Sequence, residues 1–194
     1  MFNPFKAKLG LKENVEYVLR DSEGNAKKLF QPNKLYAWLL KMGLVSPNLT
    51  SALFGHYTDK MVISNLITTA GVSGIAARIN GSGSPAAYTY VALGVGTTAA
   101  ADADTQLESE VTTSGGARAA ATVSLQTTDT AGDTAQLQLT FSFTTGASFA
   151  ITESGVLNAS SAGTLLARQV FSAINVASGD SLQVTWKFDV DTAA

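Results

Sequence analysis

Two long stretches of the chain alternate strictly between apolar and polar residues. Residues 135–143 read AQLQLTFSF, and residues 182–190 read LQVTWKFDV. Because successive side chains of a β-strand point to opposite faces, each stretch predicts a strand with one apolar and one polar face. We expect the apolar faces to form the core, with Trp186 inside it.

Shorter segments around these two stretches predict further strands. They cover residues 119–126, 148–158 and 164–172, with turn-forming residues at 130–133, 160–163 and 178–180. Several strands spaced by roughly 8–12 residues, with turn residues between them, are typical of an antiparallel β-sandwich. The sequence therefore predicts a mainly β protein built on such a sandwich.

The N-terminal segment differs in composition from the rest of the chain, with more lysine and more aromatic residues. Val15, Tyr17 and Leu19 alternate with polar residues, residues 21–25 (DSEGN) are typical of a turn, and residues 26–30 can return as a second strand. This segment therefore predicts a β-hairpin.

A short helix is predicted directly after the hairpin, in residues 31–43 (QPNKLYAWLLKMG). Leu35, Trp38, Leu39 and Met42 recur at the i, i+3, i+4, i+7 spacing, so they share one helical face. The front segment offers little core in which to bury that face. We therefore expect these four residues to form an interface with another chain.

A second helix is predicted over residues 65–81 (NLITTAGVSGIAARING). Leu66, Ala70 and Ile79 are expected to face inward, and the two internal glycines would permit close packing. Each of these glycines lowers the intrinsic helix stability by roughly 1 kcal/mol relative to alanine.

The chain thus divides into an N-terminal hairpin-and-helix arm, residues 1–60, and a β-sandwich domain with one further helix, residues 61–194. The arm holds nine Lys or Arg against five Asp or Glu, whereas the remainder holds four against ten. Two interpretations fit this asymmetry of charge. The charges are either ordinary solvated surface, or they let a basic arm dock on an acidic partner such as another copy. The low charged fraction of 14% favours extensive contact with other chains.

Residues 94–99 (GVGTTA) carry the Gly-x-Gly-x-x-Ala spacing of a dinucleotide-binding turn. Such a site also needs a helix that faces the pyrophosphate and a second parallel strand that ends near an acid. Neither pattern follows here. We therefore expect Gly94 and Gly96 to permit a tight exit from a buried strand, and we expect no cofactor.

Asp102, Asp104 and Glu108 suggest a calcium loop, but the segment lacks the glycine bend and the number of oxygen ligands that such a loop needs. Asp104 is better explained as the cap of a turn or helix whose first turn contains Glu108. We therefore expect no metal site.

Catalytic residues are not expected either. His56 is the only histidine, and a serine nucleophile needs a base beside it and an orienting group behind that base. Glu153 is the one acid inside a β segment (AITESGV), and Arg118 and Arg168 lie in other apolar segments. A buried pair of Glu153 with one of these arginines is usually structural.

Five motifs, in order along the chain, resemble a module of virion structural proteins of tailed bacteriophages. They are NLIT (65–68), YVALGVGTT (90–98), DTQLE (104–108), ITESGVL (151–157) and LARQVF (166–171). The resemblance implies a β-rich component of the virion that is not an enzyme. It does not imply a position on the particle.

For that position, we expect a capsid decoration or cement protein that locks shell subunits together. A tail, baseplate or fibre-attachment subunit is the second interpretation. The third is a host-surface carbohydrate-binding module, with Tyr88, Tyr90, Phe149 and Trp186 as candidates to stack on a sugar. The expected partners are other copies of the chain, for example in a trimer, and the major capsid protein or tail proteins. Nucleic acid and membrane are not expected, because the chain has no basic run interleaved with aromatics and residues 61–77 are too polar to cross a bilayer.

Overall fold

The computed structural model describes residues 8–83 and 86–193, which form thirteen strands and two helices. In chain order these are β1 (Lys8–Arg20), β2 (Ala26–Lys27), β3 (Leu29–Pro32), α1 (Lys34–Lys41), β4 (Gly55–Thr58), β5 (Met61–Ile63), β6 (Leu66–Ile67), α2 (Thr69–Asn80), β7 (Tyr90–Gly94), β8 (Ala119–Ala120), β9 (Thr122–Gln126), β10 (Thr134–Ser142), β11 (Ser148–Leu157), β12 (Leu165–Ala177) and β13 (Ser181–Ala193).

Two antiparallel sheets enclose the core. The first has the strand order β2-β1-β13-β10-β9, with β5 also paired to β1, and the second has the order β6-β12-β11-β7-β8. Strands β3 and β4 form a separate two-stranded sheet. The two larger sheets share one cluster of buried apolar residues, and the rings of Tyr17 and Phe171 meet across it with centroids 4.3 Å apart. The predicted mainly β, antiparallel fold is confirmed.

The two alternating stretches become β10 and β13, which are neighbours in the first sheet. Their apolar faces point into the core, and Trp186 is fully buried as predicted. Val190 is an exception, because 44% of its surface is exposed. It lies beyond Asp189, which is the last residue of β13 that pairs with β10.

The predicted strand at residues 119–126 is two strands that belong to different sheets. Strand β8 pairs with β7 in the second sheet, whereas β9 pairs with β10 in the first. Between them, the N–H of Ala121 donates to the carbonyl of Thr89. This segment therefore passes from one sheet to the other, and β9 becomes an edge strand with all five residues exposed.

The front hairpin is present, but its first strand is not part of a separate arm. Strand β1 pairs with β13 along its whole length of 13 residues and also pairs with β2 and β5. Val15, Tyr17 and Leu19 are buried in the core shared by the two sheets. The apolar face of β1 therefore completes the sandwich, while the division of the chain at residue 60 stays a prediction.

Helix α2 begins later than the sequence predicted. The preceding residues of β6 pair with β12, and Thr68 then caps the helix. The hydroxyl oxygen of Thr68 accepts from the N–H of Gly71 over 2.9 Å, and the hydroxyl donates to the carbonyl of Leu165 over 2.6 Å. The first bond caps the helix, and the second holds its start against β12.

The packed face of α2 is formed by small residues and not by its largest apolar residue. A Cβ added to Gly71 would clash with the carbonyl group of Leu166, which confirms that this glycine permits close packing. The expectation that Ile79 faces inward is wrong, since 78% of its surface is exposed. Neither helix in the described part of the chain is long and apolar enough to span a membrane.

Candidate interface and buried ion-pair cluster

Helix α1 presents large apolar side chains to solvent. Leu35, Trp38 and Met42 are 58%, 54% and 58% exposed, and Leu44, just beyond the helix, is 64% exposed. Leu39, the fourth predicted interface residue, is half-buried. We call Leu35, Trp38, Met42 and Leu44 the α1 surface. Three of the four predicted residues therefore lie on one exposed, apolar face.

The opposite face of α1 is held by Tyr36 and Leu40, which the sequence analysis did not single out. Leu35 to Leu40 are six consecutive apolar residues, so periodicity alone does not decide which face is buried. The cap decides it. The side-chain oxygen of Asn33 accepts from the N–H of Tyr36, and its side-chain amide donates to the carbonyl of Leu53.

Tyr36 anchors α1 on its buried side. Its hydroxyl donates to the carbonyl of Ser46 over 2.7 Å, and its ring packs against those of Phe54 and Phe30, with centroids 5.4 Å and 6.0 Å away. The side chain is fully buried. The exposed position of Trp38 is therefore the consequence of a fixed helix orientation.

A groove of about 350 Å³ runs beside α1, between this helix and β5. Its lining includes Lys34, Trp38 and Lys41 on the helix and Val62 and Ile63 on the strand. We call it the α1–β5 groove. Apolar side chains make up about half of its lining, which also includes Gln31, Ser64 and Gln169, and two cationic groups lie on the helix side.

Lys34 and Lys41 differ from the other lysines whose side chains the structure describes. Each of the other four has a carboxylate within 4 Å, in the pairs Lys27–Asp180, Lys28–Asp59, Lys60–Glu16 and Lys187–Glu16. Within the described residues, Lys34 and Lys41 have no such partner. The sequence signal for this arrangement is the seven-residue spacing of two lysines around Trp38.

A buried ion pair joins β11 to β12 beside the last residue of β7. Glu153 of β11 has no exposed surface, and its Oε2 accepts from Nε of Arg168 of β12 over 2.8 Å. Arg118, the other candidate partner, pairs with Glu110 instead, through contacts of 2.9 and 2.5 Å.

Glu153 also collects three backbone N–H groups. Its Oε1 accepts from Gly96 over 3.1 Å and from Ser109 over 2.7 Å, and its Oε2 accepts from Glu108 over 3.1 Å. With Arg168 these make four donors on one carboxylate. Such saturation is typical of a buried carboxylate that holds loops in place.

Arg168 also holds the loop between β7 and β8. Its guanidinium donates to Oδ2 of Asp104 over 2.8 Å and to the carbonyl of Thr98 over 3.1 Å. Burial by itself would lower the pKa of Arg168, but its hydrogen bonds to the carboxylates of Asp104 and Glu153 outweigh that effect and raise the pKa above its ordinary value. Arg168 therefore stays charged, which keeps the network intact.

The glycines that resemble a dinucleotide turn make room for a carboxylate. A Cβ added to Gly96 would lie 2.5 Å from Oε1 of Glu153, and one added to Gly94 would clash with the same oxygen. Position Gly94 is opposite Glu153 in the pairing of β7 with β11. The anion that these glycines accommodate belongs to the protein itself.

The acidic segment between 102 and 108 is folded onto the same network. Oδ2 of Asp104 accepts from the N–H of Ala101 as well as from Arg168, so its side chain joins this loop to β12. The carboxylate of Glu108 accepts from the N–H and hydroxyl of Thr98, and these bonds lower the pKa of Glu108. The described residues contain no group of three His, Cys, Asp or Glu that could hold a metal ion.

The residues weighed for catalysis or sugar stacking are dispersed. His56 is exposed on β4, far in sequence from Glu153 and on a different sheet. Trp186 is fully buried, and the ring of Phe149 packs on Phe143 with centroids 6.3 Å apart. The guanidinium of Arg78 covers the ring of Tyr88 at 5.3 Å. These residues do not assemble into one site.

Residues 75–187, more than half of the chain, match a family model described as podophage GP4 fiber I protein gp80. The chain belongs to this gp80 family. Membership confirms the resemblance to virion structural proteins of tailed bacteriophages and places the protein in the virion. Neither the curated proteins nor the solved structures provide a match to the chain.

The match to the gp80 family begins in α2 and ends in β13. It includes Glu153, Arg168 and the two glycines beside them, so the buried ion pair lies within the matched residues. The α1 surface and the α1–β5 groove precede the matched residues. The α1 surface is therefore separate from the part of the chain that carries the family pattern.

Proposed function

We propose that this protein is a subunit of the tail-fibre apparatus and that the α1 surface attaches it to a neighbouring virion protein. The family description, which names a fibre protein, supports the fibre assignment. The α1 surface supports attachment, because it places four large apolar side chains in solvent on a firmly anchored helix and directly after its C-terminal end.

The exposed apolar surface is the observation that carries the proposal. Burying a large apolar side chain contributes about 1.5–3 kcal/mol relative to leaving it exposed. Contiguous exposed apolar groups with a polar rim mark interaction sites. Lys34 and Lys41 provide such a rim beside Trp38. Docking of the α1 surface on another chain would recover this energy.

The protein acts, on this proposal, through contacts and not through catalysis. The carboxylate of Glu153 is occupied by four donors, and the single histidine is on a different sheet. The sandwich supplies a rigid body, and the buried pair of Glu153 and Arg168 holds the loop that follows β7. No cofactor has a role in this function.

Capsid decoration stays a prediction with the same physical basis, since the α1 surface would serve a shell lattice equally well. The fibre assignment is preferred because of the family description. Self-association, for example in a trimer, also stays a prediction. A sugar-binding role is less favoured because Trp186, the largest stacking candidate, is fully buried.

Counting the copies of the chain in purified virions tests the assignment. Closed tail symmetry leads us to expect roughly six to a few dozen copies per particle, measured by quantitative mass spectrometry. Antibody labelling of intact particles should place them on fibres. A count in the hundreds, with label over the shell, would show a capsid decoration protein instead.

A matched pair of variants tests the attachment surface. Trp38→Ala should reduce incorporation of the chain into virions, because it removes the centre of the α1 surface. Ile79→Ala removes a still more exposed apolar side chain from α2 and should leave incorporation unchanged. Equal incorporation of the two variants would remove the α1 surface as the attachment site.

A further inference from the structure

The α1–β5 groove indicates the chemistry of the partner. We propose that it binds a segment of a different virion chain in which two carboxylates flank an apolar side chain. This inference rests on the proposed attachment role of the α1 surface and names what that surface binds.

The spacing of the cations sets the spacing of the carboxylates. Lys34 and Lys41 are seven residues apart in α1, which is close to two helical turns and therefore about 10 Å along one face. Trp38 lies between them on that face. A partner segment that places an apolar side chain against Trp38 would therefore have its carboxylates about 5 Å to either side.

Charge complementarity favours an acidic occupant. Every other lysine whose side chain the structure describes already has a carboxylate partner, whereas Lys34 and Lys41 have none among the described residues. Two cations at the border of an apolar groove attract an anionic segment and disfavour a basic one. The groove thus selects by charge as well as by shape.

The strand side of the groove favours binding through side chains. Backbone groups at the edge of a strand can accept an added strand from another chain. Here the amide of Gln31 already occupies that position, because it accepts from the N–H of Val62 over 2.7 Å and donates to the carbonyl of Val62 over 3.0 Å. Docking in this groove therefore depends on Trp38, Val62 and the two lysines.

A second copy of this chain does not present the required pattern within the described residues. Among the carboxylates whose side chains the structure describes, those of Asp102 and Asp129 alone have neither a hydrogen bond nor an ion pair, and they lie in two different loops. The turn with Asp129 has no large apolar residue, and Leu107 in the other loop is buried. We therefore assign the segment to a different chain.

Carbodiimide cross-linking of purified virions, followed by mass spectrometry of the peptides, tests this assignment. The reagent joins a lysine directly to a contacting carboxylate. We expect Lys34 and Lys41 to be joined to Asp or Glu of a different virion protein. Lys28 is the internal control, because it should be joined to Asp59 of the same chain in virions and in the isolated protein.

Two results would overturn the inference. If Lys34 and Lys41 stay unlinked in virions and react with an acetylating reagent as readily as in the isolated protein, the groove is empty. If they are joined to a carboxylate of this same chain only in virions, the occupant is a second copy. Neither result changes the copy number or the labelled position, so the fibre assignment is tested separately.

Charge-neutral variants give a second measurement. The double variant Lys34→Gln, Lys41→Gln keeps good helix formers in α1. Because it removes both cations of the groove, it should lower incorporation into virions roughly tenfold. The double arginine variant should retain incorporation, and Lys28→Gln should match the native chain. A urea unfolding midpoint equal to that of the native chain confirms that each variant is folded. Normal incorporation of the double glutamine variant would contradict the inference.

Discussion

Arg168 and Glu153, on the neighbouring strands β12 and β11, form a buried ion pair in which Nε donates to Oε2 over 2.8 Å. Around this pair gather three backbone N–H groups and the carboxylate of Asp104. The loop that follows β7 is thereby tied to the second sheet. The buried ion pair therefore fixes the position of that loop.

Replacing Glu153 with Gln should destabilise the fold. The variant keeps the shape of the side chain but removes the anion, so Arg168 loses its buried partner. Breaking a buried pair by removing one partner costs about 3–5 kcal/mol. Urea unfolding measures the change, with Glu23→Gln at an exposed turn as the control. A loss equal to that of the control would show that Asp104 alone supports Arg168.

Replacing Gly96 with Ala should strain the same network. The new methyl group would lie 2.5 Å from Oε1 of Glu153 and 2.6 Å from Cβ of Glu108, so both must move. Overpacking of a well-filled interior costs about 1–3 kcal/mol. Thermal unfolding should show a lower midpoint for this variant than for Thr97→Ala, which changes an exposed neighbour. An unchanged midpoint would mean that the loop is looser than its hydrogen bonds indicate.

The two tryptophans should give opposite results. Trp186 is fully buried and stacks on Phe188 with centroids 5.9 Å apart, so Trp186→Ala should destabilise the fold by about 3–5 kcal/mol. Trp38 is 54% exposed, so Trp38→Ala should change stability by only about 0.5 kcal/mol. Urea unfolding of both variants measures the difference. A large loss for Trp38→Ala would mean that its exposed ring supports the fold.

Acid should weaken the turn before β10 through Asp133. Its carboxylate accepts from the N–H groups of Thr130, Thr128 and Asp129, and these bonds hold the pKa of Asp133 well below its usual value of 3.8. A lowered pKa in the folded state contributes stability that is present above pH 3.8 and is lost as the pH falls below that value.

Asp133→Asn is the variant that checks this effect. Urea unfolding between pH 6 and pH 2 should show a smaller loss of stability for the variant than for the native chain in the acid range. The difference between the two proteins should be constant above about pH 5, where the carboxylate is ionised in both states. Parallel curves over the whole range would show that Asp133 does not contribute.

Sequence periodicity determined the local structure of the long strands. The alternation in residues 135–143 and 182–190 assigned their inner faces and the burial of Trp186, because a strand has a fixed period of two. The same local reasoning separated the glycine turn from a dinucleotide site, since the segment that follows lacks the helix and parallel strand of such a site. It also named Glu153 as an acid in need of a buried cation.

Only the tertiary structure decided which distant residues meet. Both arginines lie in apolar segments, but only Arg168 is on the strand next to Glu153. The pairing of β1 with β13 joins segments about 170 residues apart, and no local pattern encodes such a partner. Six consecutive apolar residues in α1 left its buried face undetermined until Asn33 and Tyr36 fixed the helix. Backbone geometry fixes the period of a strand, so the sequence alone predicts its two faces. The pairing of distant strands and the buried face of α1 depend on contacts that exist only once the chain is folded.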